Sequence, residues 1–101
     1  MIEKAFVGGA DKNCEWLLPW WLGNIRKNSS IPVLIYDFGL SKKGKDWAHR
    51  NNIDLLTLEH NNGWFMKTSA ILDAPAKQRI WLDIDCEVKK PIDDIFSFIE
   101  E

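Results

Sequence analysis

The sequence predicts one α/β domain built on a mostly parallel sheet flanked by helices. Three observations carry this expectation. Four short apolar runs, Ala5 to Val7, Val33 to Tyr36, Leu55 to Leu58 and Ile80 to Leu82, are continuous rather than alternating, which suits strands covered on both faces. The segments between them have helical lengths and patterns, giving a βαβαβαβ order with right-handed crossovers. A chain of 101 residues, 46% of them hydrophobic, can bury one core and has no room for a second.

Along the chain, the first run leads into Gly8-Gly9-Ala10-Asp11, where backbone without side chains could come close to a ligand. The first helix is expected from Glu15 to about Lys27, capped by Asp11 or Asn13; Pro19 within it implies a later start or a kink. After the second run, Ser41 reads as the N-cap of a short polar helix that carries Trp47 and exits at Asn51-Asn52. A third helix, Gly63 to Ala74, has Trp64, Thr68, Ile71 and Leu72 on one face and is ended by Pro75. Pro91 opens a fourth, with Asp93 and Asp94 where the helix dipole favours negative charge and Ile92, Ile95, Phe96 and Ile99 as its apolar face.

Composition excludes several classes. A net charge of -2 with charges of both signs interspersed offers no basic stripe for nucleic acid. The opening MIEKAFVGGA has only a three-residue apolar run before its glycine pair, too little for a secretory leader, and no run reaches membrane-spanning length. The expected location is therefore cytoplasmic. Cys14 and Cys86 are far apart, without a CxxC or histidines at zinc spacing, so neither a disulfide nor a zinc staple is expected. Six tryptophans, at 16, 20, 21, 47, 64 and 81, read either as core filler or as a surface for a partner or a stacking ligand.

The candidate chemistry lies in IWLDIDCEV, residues 80 to 88. In an open parallel sheet, ligands sit off the carboxyl ends of the strands where the strand order reverses. If the order is 3-2-1-4, the exits of the first and fourth strands are neighbours and Asp11 faces Asp83 and Asp85. Two carboxylates at i and i+2 can converge on Mg²⁺ or Mn²⁺, a hard cation that keeps positions for water and phosphate. Such a cation would neutralise charge building on a diphosphate leaving group. On spacing alone, the pair reads equally as polar residues of a strand-end turn.

The segment IWLDIDCEVKKPIDDIF resembles the D-x-D region of nucleotide-sugar glycosyltransferases, especially family 8 and its glycogenin-like members. GADKNC is similar to that family's A-D-x-N-Y, DFGLSKKGK to its D-x-G-L-S turn, and Lys67 in FMKTSAIL to the lysine opening the helix before the D-x-D strand. The resemblance implies the Rossmann-like GT-A fold, here in truncated or minimal form as the donor-binding part. It implies Asp83 and Asp85 as ligands of Mn²⁺ or Mg²⁺, Asp85 the more direct and Asp83 also in reach of the ribose or sugar. Ala10, Asp11 and Asn13 would lie against the nucleoside of a UDP-sugar donor, and Lys67 on its phosphate or sugar. Transfer in this family retains the anomeric configuration. Cys14 stands where the family has tyrosine beside the base. Family members continue past this length with acceptor loops and a metal-binding histidine, so a missing C-terminal acceptor half or a homodimer is expected. No catalytic residue is assigned.

Other readings stand beside this one. Lys67 also reads as an exposed lysine on an amphipathic helix, and His49 and His60 as solvated side chains. A strand ending in D-x-D is also the nucleophile motif of haloacid-dehalogenase-like phosphatases, though there a Gly-Thr pair follows and the strand comes early. A non-catalytic module that docks a partner through its tryptophan-rich helix is the third alternative.

Overall fold

The computed structural model describes residues 2–58 and 66–98. Gly63, Trp64 and His60 of the sequence reading, and Ile99 with the glutamates after it, lie outside them.

Three strands, β1 (Ile2–Ala10), β2 (Val33–Asp37) and β3 (Ala76–Trp81), form a parallel sheet in the order β2-β1-β3. Phe6 to Ala10 pair with Val33 to Asp37 on one side of β1, and Ile2 to Val7 with Ala76 to Trp81 on the other. The third apolar run does not become a strand. It makes a single parallel bridge, Tyr36 to Leu56, with the Asp37 N–H donating to Leu56 O and the Leu56 N–H to Ile35 O. That bridge lies beside β2, so the 3-2-1-4 order is present with its outermost member reduced to one rung.

Helices cover both faces. A 3₁₀ turn (Glu15–Leu17) leads into α1 (Leu18–Asn28), so the helix starts later than its apolar pattern and Pro19 falls in its first turn, where its missing N–H has no role. The second helix, α2 (Lys42–Arg50), begins as expected, Ser41 Oγ accepting the Gly44 N–H at 3.3 Å. Glu15 reaches across to accept from Ser41 Oγ at 2.6 Å and Ser41 N at 2.8 Å, tying the two helix starts together. These bonds hold the Glu15 carboxyl below its usual range. The helix α3 (Met66–Asp73) buries Ala70 and partly Ile71, not Leu72 and Thr68, which are exposed. The residues after Pro91 form a 3₁₀ helix (Asp93–Phe98) rather than an α-helix; it buries Phe96 and leaves Ile95 exposed.

The strand alternation sorts the core. Phe6, Ile35, Leu18, Trp21, Ile25, Ile84, Val88 and Phe96 pack on the α1 face, where the Phe6 and Phe96 rings meet at 5.1 Å. On the opposite face Val7 and Tyr36 pack against Ala70 and Ala74. The buried Tyr36 hydroxyl donates to Asp73 Oδ2 at 2.6 Å, anchoring the end of α3 to the sheet. Burial and the neighbouring carboxylate push the Tyr36 phenol well above its ordinary range.

The glycine pair of β1 is not an open approach for a ligand. A Cβ on Gly8 would sit 2.6 Å from the Trp21 ring, and one on Gly9 would strike Phe38. Each glycine is the floor on which one of the chain's own aromatic rings rests. Gly8→Ala should therefore destabilise the fold by about 1–3 kcal/mol through overpacking. Gly23, on the exposed side of α1 with nothing within 4 Å of an added Cβ, should respond in the opposite sense. Gly23→Ala should stabilise by about 0.4–1 kcal/mol by restricting the unfolded chain. Urea unfolding midpoints at unchanged m-value read both, and shifts of one sign would refute the packing account.

Candidate metal centre

The chain leaves β3 with a tight turn: the Cys86 N–H donates to Asp83 O at 2.9 Å. Ile84, between the two carboxylates, is buried in the α1-face core. Driving Ile84 inward forces Asp83 and Asp85 outward, and both are exposed. Ligand atoms of Asp83, Asp85 and Cys86 lie within 4.8 Å of one another. Cys86 is the member that motif reading missed; its signal was adjacency, since position i+3 of a turn is brought back toward position i.

Asp83 is the better anchored of the pair. Its Oδ1 accepts from Lys67 Nζ at 2.9 Å and from Trp81 Nε1 at 2.6 Å. Lys67, at the start of α3, also lies 5.6 Å over the Trp81 ring. These donors hold the Asp83 carboxyl below its usual range, Lys67 contributing most. Both bonds fall on one oxygen, and among the described residues Oδ2 accepts none. Phe38 stacks on Trp81 at 6.2 Å and 18°, an approach that Gly9 makes possible by leaving the strand between them bare.

The end of β1 adjoins this turn: the Leu82 N–H donates to Val7 O at 2.9 Å. Its loop, however, folds onto itself. Asp11 Oδ1 accepts the Asn13 N–H at 2.9 Å and the Cys14 thiol at 3.4 Å. Among the described residues Asp11 does not belong to the acidic cluster. Ala10 has its methyl in the core, and its carbonyl accepts the Phe38 N–H at 2.9 Å. Asn13 is exposed. Burial pushes the Cys14 thiol up, so this residue stays protonated beside Asp11.

Of two open cavities, the second includes a residue of the cluster in its lining. One of about 320 Å³ lies beyond β2, lined by Asp37, Phe38, Gly39, Lys45, Thr57 and Met66 among others. The second, about 330 Å³, is bounded by Trp16, Leu17, Trp20 and Asp85.

Because the Asp83 carboxyl is lowered in the folded state, its stabilisation is present above the unfolded-state value and lost as pH falls through the folded one. Both partners are about half exposed, so Asp83→Asn should cost less than about 1 kcal/mol at neutral pH, and the gap should close in acid. Lys67→Met should return the Asp83 carboxyl toward its ordinary value in a carbon-detected NMR titration; an unmoved titration would remove Lys67 from the site. Comparison with protein-family models, curated proteins and solved structures finds no match to this chain.

Proposed function

We propose that this chain binds a nucleotide-diphosphate sugar through a divalent cation held by Asp83 and Asp85, as the donor-binding part of a glycosyltransferase-like protein. One observation carries the reading: burial of Ile84 presents two carboxylates together, off the carboxyl end of β3 and next to the end of β1. That is where an open parallel sheet binds ligands. The donor set fits Mn²⁺ or Mg²⁺, since Asp83 keeps one oxygen unengaged, Asp85 is exposed, and the exposed turn leaves positions for water and phosphate. A bound cation would supply charge neutralisation for a departing diphosphate.

The chain's own residues would do the positioning. Trp81 orients Asp83 through its indole N–H. Lys67 neutralises Asp83 in the ligand-free protein and, released from it, is placed to meet donor phosphate or sugar. The cavity beyond β2, with Lys45 and Asp37 on its walls, provides room for part of the donor. Residues for an acceptor, from a longer chain or a second copy, would join at the outer edge of β3, which is unpaired among the described residues. The resemblance of four segments, in order along the chain, to family 8 enzymes supports the reading. A second reading, a non-catalytic interaction module, draws on the exposure of Trp16 and Trp20. Among the described residues no helix is long and apolar enough to cross a membrane.

Thermal unfolding with UDP, GDP, CDP and UDP-sugars, each with and without Mn²⁺, tests the proposal. A ligand at about 100 times its Kd should stabilise the protein by about 2.7 kcal/mol. The shift should require Mn²⁺ and vanish in Asp83→Asn/Asp85→Asn. Absence of a shift with every nucleotide, in a folded protein, would reject donor binding.

A further inference from the structure

The groove between α1 and the acidic turn has a wall composition that selects for a particular chemistry. Trp16 is 72% exposed and Trp20 42%, the most open tryptophans among the described residues. With Leu17 they make its apolar floor, and its one polar residue is Asp85, which is acidic. Indole surface of this extent held in water is unfavourable unless something covers it.

Charge narrows what that is. The groove carries a hydrogen-bond acceptor and no cation, so it disfavours phosphates, carboxylates and acidic peptides. The cations on this side, Lys43 and Arg50, line a separate groove on another flank of Trp16. Of the occupants that remain, the lining, apolar apart from Asp85, fits an uncharged one with a flat apolar face for the indoles and O–H donors at its rim for Asp85. A pyranose ring meets both demands: its axial C–H bonds form an apolar face and its hydroxyls project around the edge. At about 330 Å³ the groove is at the small end of ligand sites, the scale of a single ring rather than a whole chain. Its position matters as much as its composition, because Asp85 belongs both to this groove and to the acidic cluster.

We infer that Trp16, Trp20 and Asp85 form a binding site for a neutral pyranose, and that this sugar is the acceptor-side saccharide of the transfer proposed above. The second half of the inference rests on that reading of the acidic pair; the first half, saccharide binding, does not. Asp85, shared by the groove and the acidic cluster, would orient a sugar hydroxyl. The acceptor would thus approach from the α1 side and the donor from the β2 side, the turn lying between them.

The test is an NMR titration of the ¹⁵N-labelled protein, without nucleotide or metal, using maltotriose, cellotriose and N,N′-diacetylchitobiose as probes and glycerol as the control for hydroxyls without a ring. At least one saccharide should move the Trp16 and Trp20 indole N–H resonances saturably at millimolar concentration, leaving Trp21 in place, and glycerol should not. Trp16→Ala and Trp20→Ala should each weaken that binding about tenfold. Both side chains are exposed, so their melting temperatures should stay near that of the parent. Their Mn²⁺-dependent nucleotide shift should also be retained, which separates this site from the donor site. If no saccharide moves these resonances while nucleotide still binds, the pyranose site is refuted and the donor reading stands. If saccharide binds but nucleotide does not, the groove stands and its acceptor role falls. If the two indole resonances instead shift with protein concentration, and sedimentation shows a dimer that Trp20→Ala dissociates, a second copy covers the groove and the inference is overturned.

Discussion

The close seating of Trp21 and Phe38 on the glycine pair of β1 is the constraint on which the rest of the molecule depends. The central strand of a three-stranded sheet must accept packing on both faces, and here the two layers are brought in at adjacent residues. Trp21 closes over Gly8 from the α1 side, and Phe38 over Gly9 from the other. Because α1 lies this close, its end can reach the segment after β3: Asn28 Nδ2 donates to Val88 O at 2.9 Å. Because Gly9 is bare, the rings of Phe38 and Trp81 can meet across it, and Trp81 is then held where its N–H finds Asp83. Side chains at either glycine would push apart the elements that frame the acidic turn.

The turn itself joins core energetics to surface chemistry. A carboxylate pair repels itself, and nothing in a solvated loop would hold the two groups together. Burying Ile84 offsets that repulsion: a fully buried aliphatic side chain contributes on the order of 1.5–3 kcal/mol. Lys67 and Trp81 then neutralise and orient Asp83 alone, leaving Asp85 the freer carboxylate. The pair is thus asymmetric, one carboxylate held by the scaffold and the other exposed on the side of Trp16 and Trp20.

Several features follow from local rules and were legible in the chain. The apolar runs at Ala5, Val33 and Ile80 lie in strands because continuous hydrophobic stretches need cover on both faces. Ser41 caps α2 because a hydroxyl at that position satisfies a free N–H of the first turn. The run at Leu55 was less well served by the same rule. Its composition suits a strand, but pairing beyond Leu56 depends on how the neighbouring chain is laid down, and one rung forms. Leu72 and Thr68 shared a helical face with Ile71 in the pattern, yet the sheet lies against Ala70 and Ala74, whose small side chains let α3 approach closely.

The sequence by itself determined the fold class, the strand order's parallel logic and the two carboxylates at the exit of the last strand, since these follow from periodicity, capping and spacing over a few residues. Only the tertiary structure decided which groups meet. Lys67 and Asp83 are 16 residues apart and their pairing exists because α3 and β3 pack side by side. Asp11 lies at the neighbouring strand's end and is nevertheless turned into its own loop by a nearer N–H. Among three tryptophans close in sequence, Trp20 and Trp21 on α1 and Trp16 in the 3₁₀ turn before it, Trp21 is buried while Trp16 and Trp20 are exposed. The residue type is the same in all three; the direction each faces is set by how α1 sits on the sheet, and that direction separates core from candidate binding surface.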